Sequence, residues 1–281
     1  MNKLLFINYN IEKVLMGGQA FNWQRVKDCY IGVTTNKLIK IKYDKEYIYW
    51  QTYPKHNDVK YISKYFDITT DHDNALDEIC LDSIVNRSVD KNNKLIILNQ
   101  DFDVCIISFI LSQRKNIKAI RKSVILLTEK LGKQIIVDGR TYYLFPTLKD
   151  IANADIKILL SCSLGYRAKY IKNTSRRLID RGLHRKIHNM NLSDAKNELL
   201  NLNGVGMKVA DCVLVFSLKH RNIFPLDVWG LKIASKLYSI DINGGYVRIQ
   251  EYFNNRFKKN TSIAAQYLFE YYKGSKYLCV I

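Results

Sequence analysis

The chain has 281 residues, of which 47% are hydrophobic, so it can bury a normal core and form about two domains. Lys and Arg number 44 against 26 Asp and Glu, and the resulting formal charge of +18 favours a polyanionic partner such as DNA or RNA. The six cysteines form no CxxC pair, which argues against disulfides, zinc and an iron–sulfur cluster and indicates a reducing cytosol. The first apolar run, LLFI, is too short for a signal peptide, and no membrane span is expected.

The first predicted elements are β-strands. The segments YIGVTT at 30–35, KLIKIKY at 37–43 and EYIYWQTY at 46–53 are rich in β-branched and aromatic residues and are separated by turn-forming residues. Because the connections are short, the strands are expected to form an antiparallel sheet that extends to about residue 53.

The pattern changes to helical periodicity from about residue 58. Apolar residues recur at helical spacing from Ala75 to Val85 and again in DFDVCIISFILSQ at 101–113. Only three prolines occur in the chain, and we detect no internal repeat or low-complexity linker. Helices are therefore expected to dominate to the end of the chain in a compact α+β fold.

A glycine turn joins two further predicted helices. The segment SDAKNELLNL at 193–202 is expected to be helical and to be capped by Ser193. Gly204 and Gly206 then form a turn in which the missing Cβ atoms permit positive φ and a close backbone approach to phosphates. The second helix, KVADCVLVFSLKH at 208–220, presents unpaired N–H groups and the positive end of its dipole to an anion. This pattern is typical of a helix-hairpin-helix.

Two residues near this turn point to chemistry. Lys208 lies in the first turn of the second helix, where the helix dipole and desolvation both disfavour the charged ammonium. A neutral amine can attack a sugar C1′, expel a base and form a Schiff base, after which loss of the 2′ proton breaks the strand. Asp227, in FPLDVWG, is predicted to cap the next helix and to remain ionised, so it can stabilise positive charge on a sugar or help to orient or deprotonate Lys208. The alternative is a solvated lysine and a purely structural cap.

The segment GVGMKVADC with the downstream PLDVWG resembles the 8-oxoguanine DNA glycosylase/AP lyases of the helix-hairpin-helix (HhH-GPD) superfamily. The resemblance implies catalysis by the lysine and the aspartate described above. It extends through most of the chain, because four further motifs occur in the family's order: GGQAFNW at 17–23, FILSQRKNI at 109–117, LGYRAKYI at 164–171 and AQYLF at 265–269.

The resemblance agrees with the α+β reading and implies domain boundaries. An N-terminal antiparallel β-sheet domain is expected over residues 1–66, followed by mostly α-helical domains. Residues 67–118 together with 223–281 are expected to form a helical domain that makes one wall of the active-site cleft. Residues 119–222 are expected to form the helical domain that carries the helix-hairpin-helix.

The resemblance also implies a pocket for a flipped base. The carbonyl of Gly18 would accept the N7 hydrogen that 8-oxoguanine has and guanine lacks, a bond worth ~1–3 kcal/mol when buried. Gln266 would read the Watson–Crick edge, and Phe269 would stack on the base, although the family's aromatic residue usually lies one full turn beyond the glutamine. Cys212 and Phe216 match pocket-lining positions. An ordinary loop at Gly18 and core packing by the apolar side chains are the alternatives.

Several positions match residues that hold the DNA. The hairpin amides of Gly204, Gly206 and Lys208 would grip phosphates, and Trp229 matches a position that contacts the backbone. The carbonyls of three residues match positions that can hold a structural monovalent cation: Leu200, Leu202 and Val205.

Other positions match residues that contact the strand opposite the lesion. Tyr166 and Arg167 match residues that wedge near and contact the orphaned base, within a positively charged segment typical of a DNA-facing surface. Asn116 matches one of a run of asparagines, from which Arg114 and Lys115 depart. Arg114 therefore occupies the position that normally fills the vacated stack, which puts the preference for cytosine opposite the lesion in doubt.

The resemblance implies a bifunctional DNA glycosylase and AP lyase that flips 8-oxoguanine out of duplex DNA, excises it through a lysine Schiff base and nicks the strand by β-elimination. No cofactor is required, and a monomer that binds DNA and no membrane is expected. Its compartment would be the cytoplasm or nucleoid of a prokaryote, or the nucleus of a eukaryote. The alternatives are a glycosylase of the same superfamily for another damaged purine or an alkylated base, and a non-catalytic helix-hairpin-helix module that binds DNA.

Overall fold

The structure, a computed structural model, describes residues 1–44, 46–55 and 57–278. Its N-terminal part is a five-stranded antiparallel sheet with the strand order β1-β5-β4-β3-β2. The three strands predicted from the sequence are β3, β4 and β5, and the α+β fold class is confirmed. The elements of this part are β1 Asn2–Leu5, α1 Ile11–Met16, β2 Trp23–Val26, β3 Cys29–Val33, β4 Leu38–Tyr43 and β5 Tyr47–Tyr53.

Side chains along the strands alternate between buried and partly exposed positions, and the buried ones join the sheet to the helices. In β5, Ile48 and Trp50 are buried, whereas their neighbours in the strand are partly exposed. Trp23 of β2 lies opposite Gly32 of β3, where an added Cβ would come within 2.7 Å of the indole ring. The indole Nε1 donates a hydrogen bond to Tyr65 Oη at 2.8 Å, so the sheet is joined to the helix that follows it.

Helices follow the sheet, as the periodicity from about residue 58 predicts. The run expected from Ala75 to Val85 is divided between two helices, because Asp82 accepts hydrogen bonds from the N–H groups of Ile84 and Val85 and starts a new helix. The helices of this part are α2 Val59–Tyr65, α3 His72–Ile79, α4 Ser83–Asn92, α5 Phe102–Leu111 and α6 Ile117–Leu131.

A second hairpin, which the sequence pattern did not predict, interrupts the helical region. Strands β6 (Gln134–Val137) and β7 (Arg140–Tyr143) pair antiparallel. Val137 packs against Val33 and Leu38 of the large sheet, so the insertion is anchored on the N-terminal part. The helices that follow are α7 Leu148–Asn153, α8 Ile156–Ser161, α9 Arg167–Asp180 and α10 Leu183–Lys186.

The predicted helix-hairpin-helix is formed by α11 (Leu192–Leu200) and α12 (Met207–Phe216). The prediction that Ser193 caps the first helix is wrong, because Asn191 occupies the cap and accepts a hydrogen bond from Asp194 N at 2.9 Å. The second helix ends at Phe216, earlier than the predicted residue 220.

The two glycines of the hairpin have different conformations. Gly204 has a φ of 77°, and an added Cβ would lie 2.6 Å from the ring of Tyr170, so both the backbone and the packing require glycine. The expectation of positive φ at Gly206 is wrong, because its φ is −97°. Gly206 is the exposed N-cap residue of α12, and no atom would lie within 4 Å of an added Cβ. Its backbone is therefore open to a close approach.

The core is built around α5, in which every residue except Asp103 is buried. This helix packs against α9 and α12, so it connects the hairpin to the rest of the molecule. Within the described part of the chain, no helix is both long enough and apolar enough to cross a membrane. The last helices are α13 Val228–Tyr238, α14 Gly245–Phe257 and α15 Thr261–Leu278.

Candidate active site

A pocket of about 90 Å³ lies between α12, the start of α13, α15 and the loop after α1. The fold brings together here all seven residues that were predicted as catalytic or base-binding, although they come from segments far apart in the sequence. Those residues are Gly18, Lys208, Cys212, Phe216, Asp227, Gln266 and Phe269.

Lys208 is half-buried and is held by the loop that follows α5. Its Nζ donates a hydrogen bond to Ser112 Oγ at 3.3 Å and lies 4.9 Å from the centre of the Phe109 ring. The Ser112 hydroxyl donates its own hydrogen to the carbonyl of Phe109 at 2.7 Å, so it acts as an acceptor towards the lysine. The amine is therefore directed into the pocket and does not extend into bulk solvent.

Asp227 is the N-cap of α13, as predicted. Its Oδ1 accepts hydrogen bonds from Trp229 N at 2.9 Å and Gly230 N at 3.0 Å. Because the cap uses only Oδ1, the second carboxylate oxygen is available for charge that develops in the pocket. The cap and the proposed chemical role are thus compatible in one side chain.

A buried polar cluster connects the helix of Lys208 to the segment that leads to Asp227. Asp211 on α12 is fully buried and accepts hydrogen bonds from Tyr246 Oη at 2.5 Å and Gln250 Nε2 at 2.7 Å. Gln250 also donates to the carbonyl of Phe224 at 2.8 Å, and Tyr246 Oη accepts from Leu226 N at 3.4 Å. The pattern of the sequence did not identify this cluster, because its members lie on different helices.

Lys196 forms a salt bridge with the Asp211 carboxylate of that cluster. Its Nζ lies 2.8 Å from Asp211 Oδ1, and it extends from α11 across the hairpin. Burial and the Asp211 carboxylate raise the pKa of Tyr246 well above its ordinary value, so the tyrosine remains protonated and donates. The two helices of the hairpin are thereby tied to each other and to α14.

Gly18 lies in the loop between α1 and β2 and has a φ of 124°, a conformation that favours glycine. An added Cβ would lie 3.2 Å from Ile117 Cδ1, so the space beside it is also restricted. Gln19 fixes the loop from behind, because it donates to the carbonyl of Ile96 at 2.8 Å and accepts from Leu98 N at 2.9 Å. The backbone of Gly18 is therefore held at the edge of the pocket.

The remaining walls are apolar, with one buried amide. Gln266 is 8% exposed, and Phe269 is half-buried with its ring edge-on to Trp229 at 6.2 Å between ring centres. The ring of Phe216 stacks on that of Phe109 at 5.5 Å. Burial raises the pKa of the Cys212 thiol to about 12, against the opposing effect of Lys208, so this cysteine is a neutral wall residue.

A wider groove of about 920 Å³ adjoins the pocket and shares Gly18, Lys208, Asp227 and Phe269 with it. Three residues predicted to contact DNA line this groove: Arg114, Asn116 and Trp229. The groove is thus an open approach to Lys208 along one face of the molecule.

Tyr166 and Arg167 differ in their exposure. Tyr166 is 47% exposed, which suits a residue that contacts an opposing strand. Arg167 is only 7% exposed, and its guanidinium donates to the carbonyls of Gln113 (Nε, 2.9 Å) and Leu164 (Nη1, 3.2 Å). In the structure the Arg167 side chain is turned inward onto these carbonyls, and its contact with the orphaned base stays a prediction. A run of positive charge does not reveal which side chains a helix turns inward.

The predicted cation position lies at the end of α11. The last carbonyls of a helix have no partner within it, and neutral carbonyl oxygens suit a monovalent cation. The carbonyl of Leu202 accepts a hydrogen bond from Val205 N at 3.2 Å and retains a second lone pair. Within the described residues, no group of three or more His, Cys, Asp or Glu side chains is placed to hold a metal ion.

Two family models match consecutive parts of the chain. Residues 5–106 match the model described as the N-terminal domain of 8-oxoguanine DNA glycosylase. Residues 107–259 match the model described as HhH-GPD superfamily base excision DNA repair protein. Together they include every segment that contributes to the pocket except the C-terminal helix α15.

Two individual relatives show the same similarity. The chain is 31% identical over 177 residues to a probable N-glycosylase/DNA lyase of Methanothermobacter thermautotrophicus, a match that covers 56% of this chain and 57% of the relative. It is 29% identical over 201 residues to the N-glycosylase/DNA lyase of Saccharomyces cerevisiae, which covers 67% of this chain and 54% of the relative. The chain thus spans little more than half the length of these relatives.

A solved structure matches over nearly the whole chain. It is the 8-oxoguanine glycosylase/lyase of Clostridium acetobutylicum in complex with double-stranded DNA containing cytosine opposite 8-oxoguanine. The TM-score is 0.88 at 28% identity, and the match covers 98% of this chain and 99% of that chain.

Proposed function

Because the chain belongs to the HhH-GPD superfamily of base excision DNA repair proteins, we propose that it is a bifunctional DNA glycosylase and AP lyase that excises 8-oxoguanine from double-stranded DNA. The observation that carries the proposal is the single pocket that Lys208 and Asp227 share with Gly18 and Gln266. The names of the relatives, N-glycosylase/DNA lyase and 8-oxoguanine glycosylase/lyase, support the same activity.

The proposed reaction uses the neutral amine of Lys208 as the nucleophile. Its nitrogen forms a bond to C1′ while the bond from C1′ to the base breaks, and the base leaves with the electron pair and takes up a proton. Loss of an amine proton and opening of the sugar ring give a Schiff base. Removal of a proton from C2′ then sends an electron pair towards the Schiff base and expels the 3′ phosphate, so the strand is nicked by β-elimination.

Asp227 supplies a fixed negative charge during the first step. Positive charge develops on the sugar as the base departs, and a carboxylate already held by two backbone N–H groups stabilises it without having to reorganise. Asp227 also lines the same pocket as Lys208, where it can orient the amine or take up its proton.

Recognition of the base is assigned to other residues that line the same pocket. Flipping a nucleotide out of the duplex costs a few kcal/mol, which contacts in the pocket must offset. Gly18 would accept the N7 hydrogen of 8-oxoguanine through its carbonyl, Gln266 would pair with the Watson–Crick edge, and Phe269 would pack on the ring. These assignments follow from the family positions and from the common pocket.

DNA would enter along the groove that adjoins the pocket. The backbone of the hairpin, Gly204 to Lys208, would bind phosphates at the start of α12. Arg114 would fill the space that the flipped nucleotide leaves. Because its guanidinium has five hydrogen-bond donors and no acceptor, it would bind acceptor groups on the orphaned base. A requirement for cytosine opposite the lesion is therefore not part of the proposal.

The proposed chemistry requires no cofactor, because the lysine supplies the nucleophile. A monovalent cation bound by the carbonyls of Leu200, Leu202 and Val205 would support the hairpin backbone where it meets a phosphate. The protein would act as a monomer wherever chromosomal DNA is held, in the cytoplasm of a prokaryote or the nucleus of a eukaryote.

A panel of duplexes tests this function. Each duplex carries one lesion (8-oxoguanine, another oxidised or alkylated purine, or an abasic site) opposite each of the four bases, and both strand cleavage and borohydride-trapped adduct are measured. We expect cleavage and adduct with 8-oxoguanine, and neither with Lys208→Gln. Preferential cleavage at an alkylated base would mean that the substrate is that base and not 8-oxoguanine. DNA binding without an adduct on any lesion would indicate a non-catalytic binding module.

A further inference from the structure

The loop between α5 and α6, residues 112–116, contacts Lys208 and its helix at two separate points. Ser112 accepts a hydrogen bond from the Lys208 amine at 3.3 Å. The next residue, Gln113, donates from Nε2 to the carbonyl of Gly204 at 2.8 Å, four residues before Lys208 in the hairpin. Two consecutive residues of one loop therefore hold the tip of the lysine and the backbone from which its helix starts.

Gln113 is suited to this position by the chemistry of its amide. An amide NH₂ has two donors, and Gln113 directs them to two carbonyls, that of Ile110 at 3.0 Å and that of Gly204. The first bond satisfies an acceptor at the end of α5, and the second crosses to the hairpin, 91 residues away in the sequence. A side chain without two donors cannot make both bonds.

Gln113 is also fixed through its backbone. Its carbonyl accepts from Arg167 Nε at 2.9 Å and from Nη2 of the same side chain. The side chain of Lys115, two residues further on, donates to Ser123 Oγ at 2.6 Å and to the carbonyl of Ser163 at 2.7 Å. The loop is thus secured on both sides of Arg114, which has a φ of 51° and extends into the groove.

We propose that Gln113 is a positioning residue for the catalytic lysine, because it ties the phosphate-binding hairpin to the loop that holds the Lys208 amine. The proposal rests on the proposed function. When a phosphate is bound at the hairpin, the bond to the Gly204 carbonyl keeps Ser112 and the Lys208 amine in register with the sugar. Arg167, whose side chain is buried, serves the same arrangement by holding the carbonyl of Gln113.

The test compares Gln113→Met, which keeps the length of the side chain but removes both donors, with Gln113→Glu, which places a carboxylate against two carbonyl oxygens. The control is Gln134→Met, the same substitution at an exposed site in β6. Single-turnover rates of borohydride-trapped adduct formation are measured at saturating 8-oxoguanine duplex, together with the affinity for an uncleavable abasic-analogue duplex. Thermal unfolding of each variant defines a temperature at which all of them are folded.

We expect the trapping rate to fall about tenfold or more in Gln113→Met and further in Gln113→Glu, because a small misplacement of a reacting group is costly. The duplex affinity should change less than about threefold, because phosphate contacts dominate it. Ser112→Ala should also slow trapping, and its effect should not add fully to that of Gln113→Met, because both act through one loop. Gln134→Met should trap at the rate of the unsubstituted protein.

Trapping by Gln113→Met at the unsubstituted rate would overturn the proposal, as would full additivity with Ser112→Ala or a loss confined to duplex affinity. Failure of the proposed function has a different signature, because the unsubstituted protein would then form no adduct at all. That result would overturn both proposals together.

Discussion

Asp103 is a carboxylate that folding partly removes from water. It lies in the first turn of α5, the helix whose other end leads to Ser112, and it is the one residue of that helix that is not fully buried. Desolvation raises its pKa to about 6 from an ordinary value of 3.8, the nearby Asp101 adds to the effect, and His184 opposes it. Folding therefore shifts the equilibrium of this side chain towards its protonated form, compared with the unfolded chain.

This preference predicts how Asp103→Asn changes stability with pH. The cost of burying the charged carboxylate is fully present above the folded pKa of about 6 and disappears as the pH falls through 6 towards 3.8. The difference between the ordinary and the folded pKa of Asp103 corresponds to roughly 3 kcal/mol of unfolding free energy. We expect Asp103→Asn to recover about 1–2 kcal/mol of it at pH 8 and little at pH 4. Urea unfolding at both pH values measures the difference. Asp180→Asn, the same substitution at an exposed site on α9, is the control.

The conformation of single residues could be predicted only where one local rule was decisive. Asp227 was correctly expected to cap α13, because one capping residue precedes a clear helical pattern. At the start of α11, Asn191 and Ser193 both have capping side chains, and the sequence alone did not distinguish them. The inward turn of Arg167 depends on the carbonyls of Gln113 and Leu164, which no local pattern reveals.

At the scale of elements, the site depends on contacts between α12, α14 and the segment before α13. The Tyr246 hydroxyl lies between Asp211, three residues after Lys208, and Leu226, next to Asp227. It therefore connects the two elements that carry the proposed catalytic residues, Lys208 and Asp227. A hydrogen bond to a charged, fully buried carboxylate contributes about 1.5–3 kcal/mol.

Tyr246→Phe tests this connection. Removing the hydroxyl should lower the free energy of unfolding by about 1–3 kcal/mol. It should also slow adduct formation more than it weakens duplex binding, because it loosens the spacing of Lys208 and Asp227 and removes no DNA contact. Tyr252→Phe, a more exposed tyrosine on the same helix, is the matched control. Equal effects of the two substitutions would contradict the assigned role.

Helices and strands were predicted where the periodicity of hydrophobic residues is clear. They were missed where the stabilising contacts join residues that are far apart in the sequence. Strands β3, β4 and β5 of the large sheet and the two hairpin helices follow directly from residue patterning and glycine placement, whereas β1 and β2 were not predicted. The hairpin of β6 and β7 was not predicted, because its stabilising contacts are with Val33 and Leu38, about a hundred residues earlier. The Asp211 cluster was missed for the same reason.

At the scale of the molecule, the pocket unites residues from 18 to 269, and no local rule could have placed them together. The resemblance to a known family supplied that long-range information, and the seven predicted pocket residues do share one cavity. The formal charge of +18 was correctly read as favouring a polyanion, but it does not locate the binding face.

The net charge predicts how binding responds to salt. If the hairpin and the groove contact about five or six phosphates, the logarithm of the affinity should fall with the logarithm of the salt concentration with a slope of roughly −4.5 to −5.5. Lys208→Gln is the form to use, because the duplex then remains intact during titration. A slope shallower than about −2 would indicate that far fewer phosphates are bound than the hairpin and the groove together would contact.

Peptide mapping of the trapped complex determines whether the amine of Lys208 attacks the sugar. After borohydride reduction on an 8-oxoguanine duplex, nuclease and protease digestion leave a sugar remnant on one side chain, which mass spectrometry locates. We predict that the remnant is on Lys208. A remnant on another lysine or on the N-terminal amine, or base release with no remnant on the protein, would contradict this account.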